Sequence, residues 1–147
     1  MNASREYYDK IRQLFKENPN ASRYFEYILQ HGRSFTKRMN NKKAQKIADK
    51  YGVEPKGYHY CYYNSQLLTI SSHGKIKYYE GMGTRKSLIP IEHAWNVLGY
   101  IVIDLTWEDA DDYFGIEIPF EFVQKNVFKT GRADQLIQQF VISKIKR

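Results

Sequence analysis

Residues 91–107, IEHAWNVLGYIVIDLTW, limit what this chain can become more than any other stretch. Two runs rich in Ile, Val and aromatic residues flank Leu98-Gly99, which predicts two antiparallel strands joined by a tight turn. The first strand is IEHAWNV; His93 and Trp95 share one of its faces and Ala94 takes the other. The second, YIVIDLTW, is apolar at almost every position, which predicts burial on both faces. Asp104 interrupts it, and a buried carboxylate is costly unless it is paired. A hairpin turning at Leu98-Gly99 sets His93 opposite Asp104, so the neighbouring strand supplies the partner. A lone strand histidine is usually structural. The predicted carboxylate across the hairpin is what makes His93 a candidate base and Asp104 its orienter.

The only cysteine, Cys61, precedes this hairpin and opens a segment, roughly 61–70, that predicts a helix with Leu67, Leu68 and Ile70 apolar. Cys61, His93 and Asp104 thus follow one another as nucleophile, base and orienter, the three parts that thiol chemistry needs. A sulfur at a helix start lies among unpaired N–H groups at the positive end of the dipole, which predicts a thiol pKa below the free value of about 8.5. The same N–H groups supply half of an oxyanion hole. The competing reading is a small buried hydrophobe, the ordinary role of a lone intracellular cysteine.

Around this centre the chain predicts helices at 4–17, with Tyr7, Tyr8, Ile11, Leu14 and Phe15 on one face, and at 21–30, with Tyr24, Phe25, Ile28 and Leu29 inward. Asn18-Pro19 is read as the end of the first. A third helix is expected at 41–51, with Ala44, Ile47, Ala48 and Tyr51 on one side. Residues 75–79 are β-like, Gly81 and Gly83 are expected to interrupt pairing, and 84–87 to form a mobile loop. YFGIEI is a further strand, Pro119 starts a helix to about Val127, and Asp134 caps a terminal helix. Helices, then a strand cluster, then helices make one α+β domain. In it, 1–56 is a basic helical region, 57–118 a core with the Cys61 helix on a short antiparallel sheet, and 119–147 the C-terminal helices.

The net charge of +7 is confined to the first part of the chain. Residues 1–60 carry thirteen Lys/Arg against six Asp/Glu, whereas 61–147 carry ten of each. A one-sided basic half points to an acidic partner, nucleic acid included, with Lys42, Lys43 and Lys46 as candidate contacts; a solvated helix face is the alternative. No run of about eighteen apolar residues predicts a membrane span, and the N-terminus has no apolar signal core, so a cytoplasmic protein is expected. The four histidines show no metal-ligand spacing with the single cysteine, Asp109, Asp111 and Asp112 lack the EF-hand pattern, and the Gly-Met-Gly at 81–83 lacks the rest of a phosphate cradle. No metal or other cofactor is expected.

A cysteine at a helix start, the Tyr79-Glu80-Gly81 element, His93-Ala94-Trp95 and Asp104-Leu105-Thr106 together resemble the transglutaminase-like branch of the papain-like thiol enzymes. The resemblance spans about 45 residues, Cys61 to Thr106. It implies that Cys61 is the nucleophile, His93 the general base and acid, and Asp104 the orienter. It also implies a protein or peptide substrate whose amide-type bond is hydrolysed, deamidated or transferred, as by a protease, isopeptidase, deamidase or transglutaminase. Compact versions are similar to proteins of bacteria and their phages. Members often place Trp or Gly-x before the cysteine, where this chain has Tyr58-His59-Tyr60. The second oxyanion donor therefore has three candidates: Tyr58, Tyr60 and Trp107. A non-catalytic binding module on the same fold is the alternative.

Overall fold

A computed structural model describes residues 2–57, 59–86 and 88–146. The chain is α+β, built on a five-stranded antiparallel sheet in the order β1-β5-β2-β3-β4. The strands are β1 (Arg33–Phe35), β2 (Lys77–Thr84), β3 (Ile91–Leu98), β4 (Ile101–Ile103) and β5 (Asp112–Ile118). Helices α1 (Ala3–Leu14), α2 (Pro19–His31) and α3 (Asn41–Lys50) precede the long strands. Helix α4 (Cys61–Ser71) leads into β2, and α5 (Phe120–Thr130) and α6 (Ile137–Ile145) close the chain.

Alternation along the strands sorts the side chains onto two faces. Tyr78, Ala94, Phe114, Ile116 and Ile118 pack with Tyr8, Ile28, Val123, Leu136, Phe140 and Cys61 beneath the helices. Phe35, Tyr79, Trp95, Val97, Val102 and Tyr113 form an aromatic layer on the other face. Gly81, Gly83 and Gly115 fall on that second face. They do not interrupt pairing as expected: Gly81 pairs with both His93 and Gly115, and β2 runs unbroken to Thr84. A side chain at Gly81 would place its Cβ 2.2 Å from the Phe114 carbonyl oxygen, so hydrogen there is what lets the strands close up.

Three local expectations are corrected. Asn18-Pro19 starts α2 rather than merely ending α1: the Asn18 side chain accepts from Ala21 N–H, and proline occupies the first turn, where its missing N–H has no partner to lose. The α1 stripe is shorter than predicted, with Leu14 and Phe15 exposed beyond Tyr8. Asp134 does not cap α6. Glu80, from β2, does so across the core, its carboxylate accepting from Leu136 N–H at 2.8 Å and Ile137 N–H at 2.9 Å, and from the Tyr78 hydroxyl.

Glu80 is 1% exposed, and burial pushes its carboxyl up from 4.5 to about 7 against the pull of these donors. Between those values the folded protein holds a proton that the unfolded chain has released. Folding stability therefore falls as pH rises from about 4.5 to 7, by on the order of 3 kcal/mol from this group. Urea titrations at pH 5 and pH 8 measure the difference, and Glu80→Gln should flatten it. A wild-type stability that rises across this window would contradict the assignment.

Candidate functional site

Asp104 follows directly on β4, at the point where the backbone leaves the sheet. The observed register pairs Asn96 with Ile103, Val97 with Val102 and Leu98 with Ile101. That is two residues out from the expected hairpin, and β4 stops before it reaches the level of His93. The turn is Gly99-Tyr100, with Gly99 at φ 67°, a conformation that glycine adopts freely. The expected partnership nevertheless forms. Released from the strand, Asp104 swings beneath β3 and its Oδ2 lies 2.9 Å from His93 Nε2.

This carboxylate is saturated. Oδ1 accepts the N–H groups of Thr106 at 3.0 Å and Trp107 at 2.9 Å, closing a tight turn after Asp104. Oδ2 accepts the Tyr113 hydroxyl at 2.8 Å, and Arg38 Nη1 stands 4.0 Å away. Arg38 is itself held by the Tyr113 hydroxyl, the Trp107 carbonyl and Asn41. Burial opposes ionisation, but His93 and these donors outweigh it and hold the carboxyl below its ordinary value. The imidazole is fixed as firmly. Trp107 stacks flat on it, with centroids 3.5 Å apart and planes 5° from parallel, and Gly83 makes room beneath that indole.

Cys61 opens α4 as expected and lies at the outer edge of β3, packed against Ala94. Its sulfur faces the main-chain N–H groups of Ala94 and Tyr62, both of which favour thiolate. The expected low thiol pKa is corrected: burial, with help from the charges of Asp104 and Glu80, pushes the thiol up to about 11 despite those donors. Among the described residues no hydrogen bond joins Cys61 to His93; the fold brings the sulfur to the residue that follows the histidine.

The other sequence candidates are dispersed. Tyr60 is the N-cap residue of α4, half exposed, with the Lys56 ammonium 5.2 Å from its ring centroid. Trp107 serves as the lid of the imidazole. Tyr58 lies outside the described residues, as does Ser87 of the expected 84–87 loop. Lys42, Lys43 and Lys46 project from the solvent face of α3 and form no ion pair among the described residues. Sequence reasoning missed Arg38 and Tyr113 as partners of Asp104, and it missed Asn64. Tyr113 had one signal, a polar tip in an otherwise apolar strand; Arg38 had none beyond its charge.

An open cleft of about 930 Å3 runs past Trp107, lined by Lys56, Gly57, Arg85, Lys86, Thr106 and Asp109 among others. Arg85 and Lys86 are tied to Asp109 at 2.9 and 3.1 Å, and the Arg85 guanidinium lies 5.2 Å from the Trp107 ring centroid. Among the described residues no group of three or more His, Cys, Asp or Glu is placed to hold a metal ion, and no helix is long and apolar enough to cross a membrane. Comparison with protein-family models, curated proteins and solved structures finds no match.

Proposed function

We propose that this protein is a thiol enzyme of the transglutaminase-like kind, acting on an amide-type bond of a protein or peptide through Cys61, His93 and Asp104. One observation carries the reading: a buried imidazole, bonded to a saturated carboxylate and clamped under an indole, stands one residue from the N–H that faces the sulfur of the only cysteine. A purely structural histidine does not need its ring plane and its partner fixed so completely.

With the thiol pushed up to about 11, the resting nucleophile is S–H and not a preformed thiolate. His93 therefore works as a general base during attack. The sulfur bonds to the carbonyl carbon as its proton passes to the imidazole, and Asp104 balances the imidazolium. N–H groups in the first turn of α4 donate to the developing oxyanion. Collapse breaks the C–N bond, the imidazolium returns its proton to the leaving amine, and a thioester remains on Cys61. Water or a second amine then resolves it.

The test is labelling of the folded protein by iodoacetamide at pH 7, followed by mass spectrometry. Cys61→Ala abolishes the adduct, and His93→Ala slows its formation at least about tenfold, a threshold set below the roughly 100-fold or more that a positioned base contributes. Raising the pH should then restore the rate of the His93→Ala protein about tenfold per unit up to pH 10, because only free thiolate reacts. Equal labelling rates with and without His93, in a protein that stays folded, would exclude the enzyme.

A further inference from the structure

Asn64 lies on α4 one turn beyond Cys61 and is fully buried. Its amide is committed at three points. Oδ1 accepts Lys56 N–H at 2.8 Å, while Nδ2 donates to the Lys56 carbonyl at 3.0 Å and to Thr106 Oγ1 at 3.0 Å. Lys56 belongs to the segment that enters the cysteine helix, Thr106 belongs to the turn that follows Asp104, and both line the cleft. One side chain thus joins the helix that carries the sulfur to two segments of that lining.

The link continues to the base. Thr106 and Trp107 donate their N–H groups to Asp104 Oδ1, Asp104 Oδ2 meets His93, and the Trp107 ring lies on the imidazole. Helix α4 has no side-chain cap at Tyr60, so its first turn is not anchored by the usual device. The Asn64 amide supplies an anchor one turn later, and among the described residues it makes the side-chain hydrogen bond between α4 and the Asp104–Trp107 turn.

We propose that Asn64 is a positioning residue that sets the cysteine helix in register with the Asp104–Trp107 turn, and so with His93. This rests on the thiol-enzyme reading above. An amide is required because the three contacts need an acceptor and two donors on one planar group. Aspartate keeps the acceptor for Lys56 N–H but turns a lone pair toward the Lys56 carbonyl, and alanine loses all three contacts. Thr106→Val cuts only the bond to the turn, and Thr106→Ser restores it.

The experiment is a double-mutant cycle on iodoacetamide labelling of Cys61 at pH 7. In the parent, His93→Ala costs at least about tenfold in rate. With Asn64→Ala or Thr106→Val present, adding His93→Ala should cost less than about twofold, because the assistance is already lost. Thr106→Ser should keep the full His93 effect. So should Ile76→Val, a core change that lowers stability without touching this chain of bonds. Should Asn64→Ala fail to fold, the Thr106 pair gives the same answer. A full His93 effect in the Thr106→Val background, or its loss in Ile76→Val, would overturn the role of Asn64. Absence of any His93 effect in the parent would instead remove the thiol-enzyme reading beneath it.

Discussion

Asp104→Ala is expected to lower folding stability by about 3–5 kcal/mol, the range for breaking a buried charge network by removing one partner. The substitution orphans the Tyr113 hydroxyl and the N–H groups of Thr106 and Trp107, and it leaves Arg38 without its carboxylate. His93 loses its bond at Nε2, so its contribution to Cys61 labelling should vanish with the stability. Asp104→Asn preserves the shape but not the pattern, because every contact to this carboxylate is made by a donor and an amide nitrogen accepts nothing. Urea denaturation of both variants measures the loss. A cost below about 1 kcal/mol for the alanine variant would mean that the network is not formed in solution. The wild type should also weaken in acid. The carboxyl is held below its ordinary value, so its contribution is complete above the carboxylate range and disappears as pH falls through the depressed value. The slope is opposite in sign to that from Glu80, which places greatest stability on the acid side of neutrality.

The second large effect separates two strand glycines, Gly115 and Gly83, by what each Cβ would meet. A Cβ at Gly115 would stand 2.3 Å from the Glu80 carbonyl oxygen and 2.7 Å from Trp95 Cη2. The obstacle includes the backbone of the central strand, which cannot yield without breaking the ladder. Gly115→Ala should cost about 3 kcal/mol, at the upper end of overpacking effects, and should lower the thermal midpoint accordingly. A Cβ at Gly83 meets the far edge of the Trp107 ring at 2.6 Å, an obstacle of side chain and not of backbone. Gly83→Ala should therefore cost only about 1 kcal/mol but push the indole off the imidazole. Its signature is a folded protein whose Cys61 labelling no longer depends on His93. Wild-type dependence in that variant would show that the stack does not hold the base.

These glycines also show where the linear pattern misled. Gly81, Met82 and Gly83 look like a break because strands disfavour glycine when nothing is known of the opposite face. The reason for the two glycines lies elsewhere in the chain, in the β5 backbone at Phe114 that closes on Gly81 and in the Trp107 ring that fills the space over Gly83. Asn18-Pro19 looked like a stop because proline ends helices; it is also a good first-turn residue, and local sequence does not decide between the two. Glu80 as the cap of α6 was not readable at all, since 56 positions separate it from Leu136.

Periodicity and composition were sufficient for the α+β class, for the helix that opens at Cys61, for the strands around His93 and Tyr113, and for the association of His93 with Asp104. All of these follow from which residues are apolar and how far apart they lie, and a buried carboxylate near a histidine has few other ways to be satisfied. The manner of that association came from packing in three dimensions. The hairpin turns one step later than its glycine suggests, so Asp104 meets the ring from a turn beneath the sheet and gathers Tyr113, Arg38 and the N–H of Trp107 on the way. Packing also decided the state of the sulfur. A helix start favours thiolate, but desolvation at the edge of β3 acts the other way and prevails, and the depth of a side chain depends on everything that covers it.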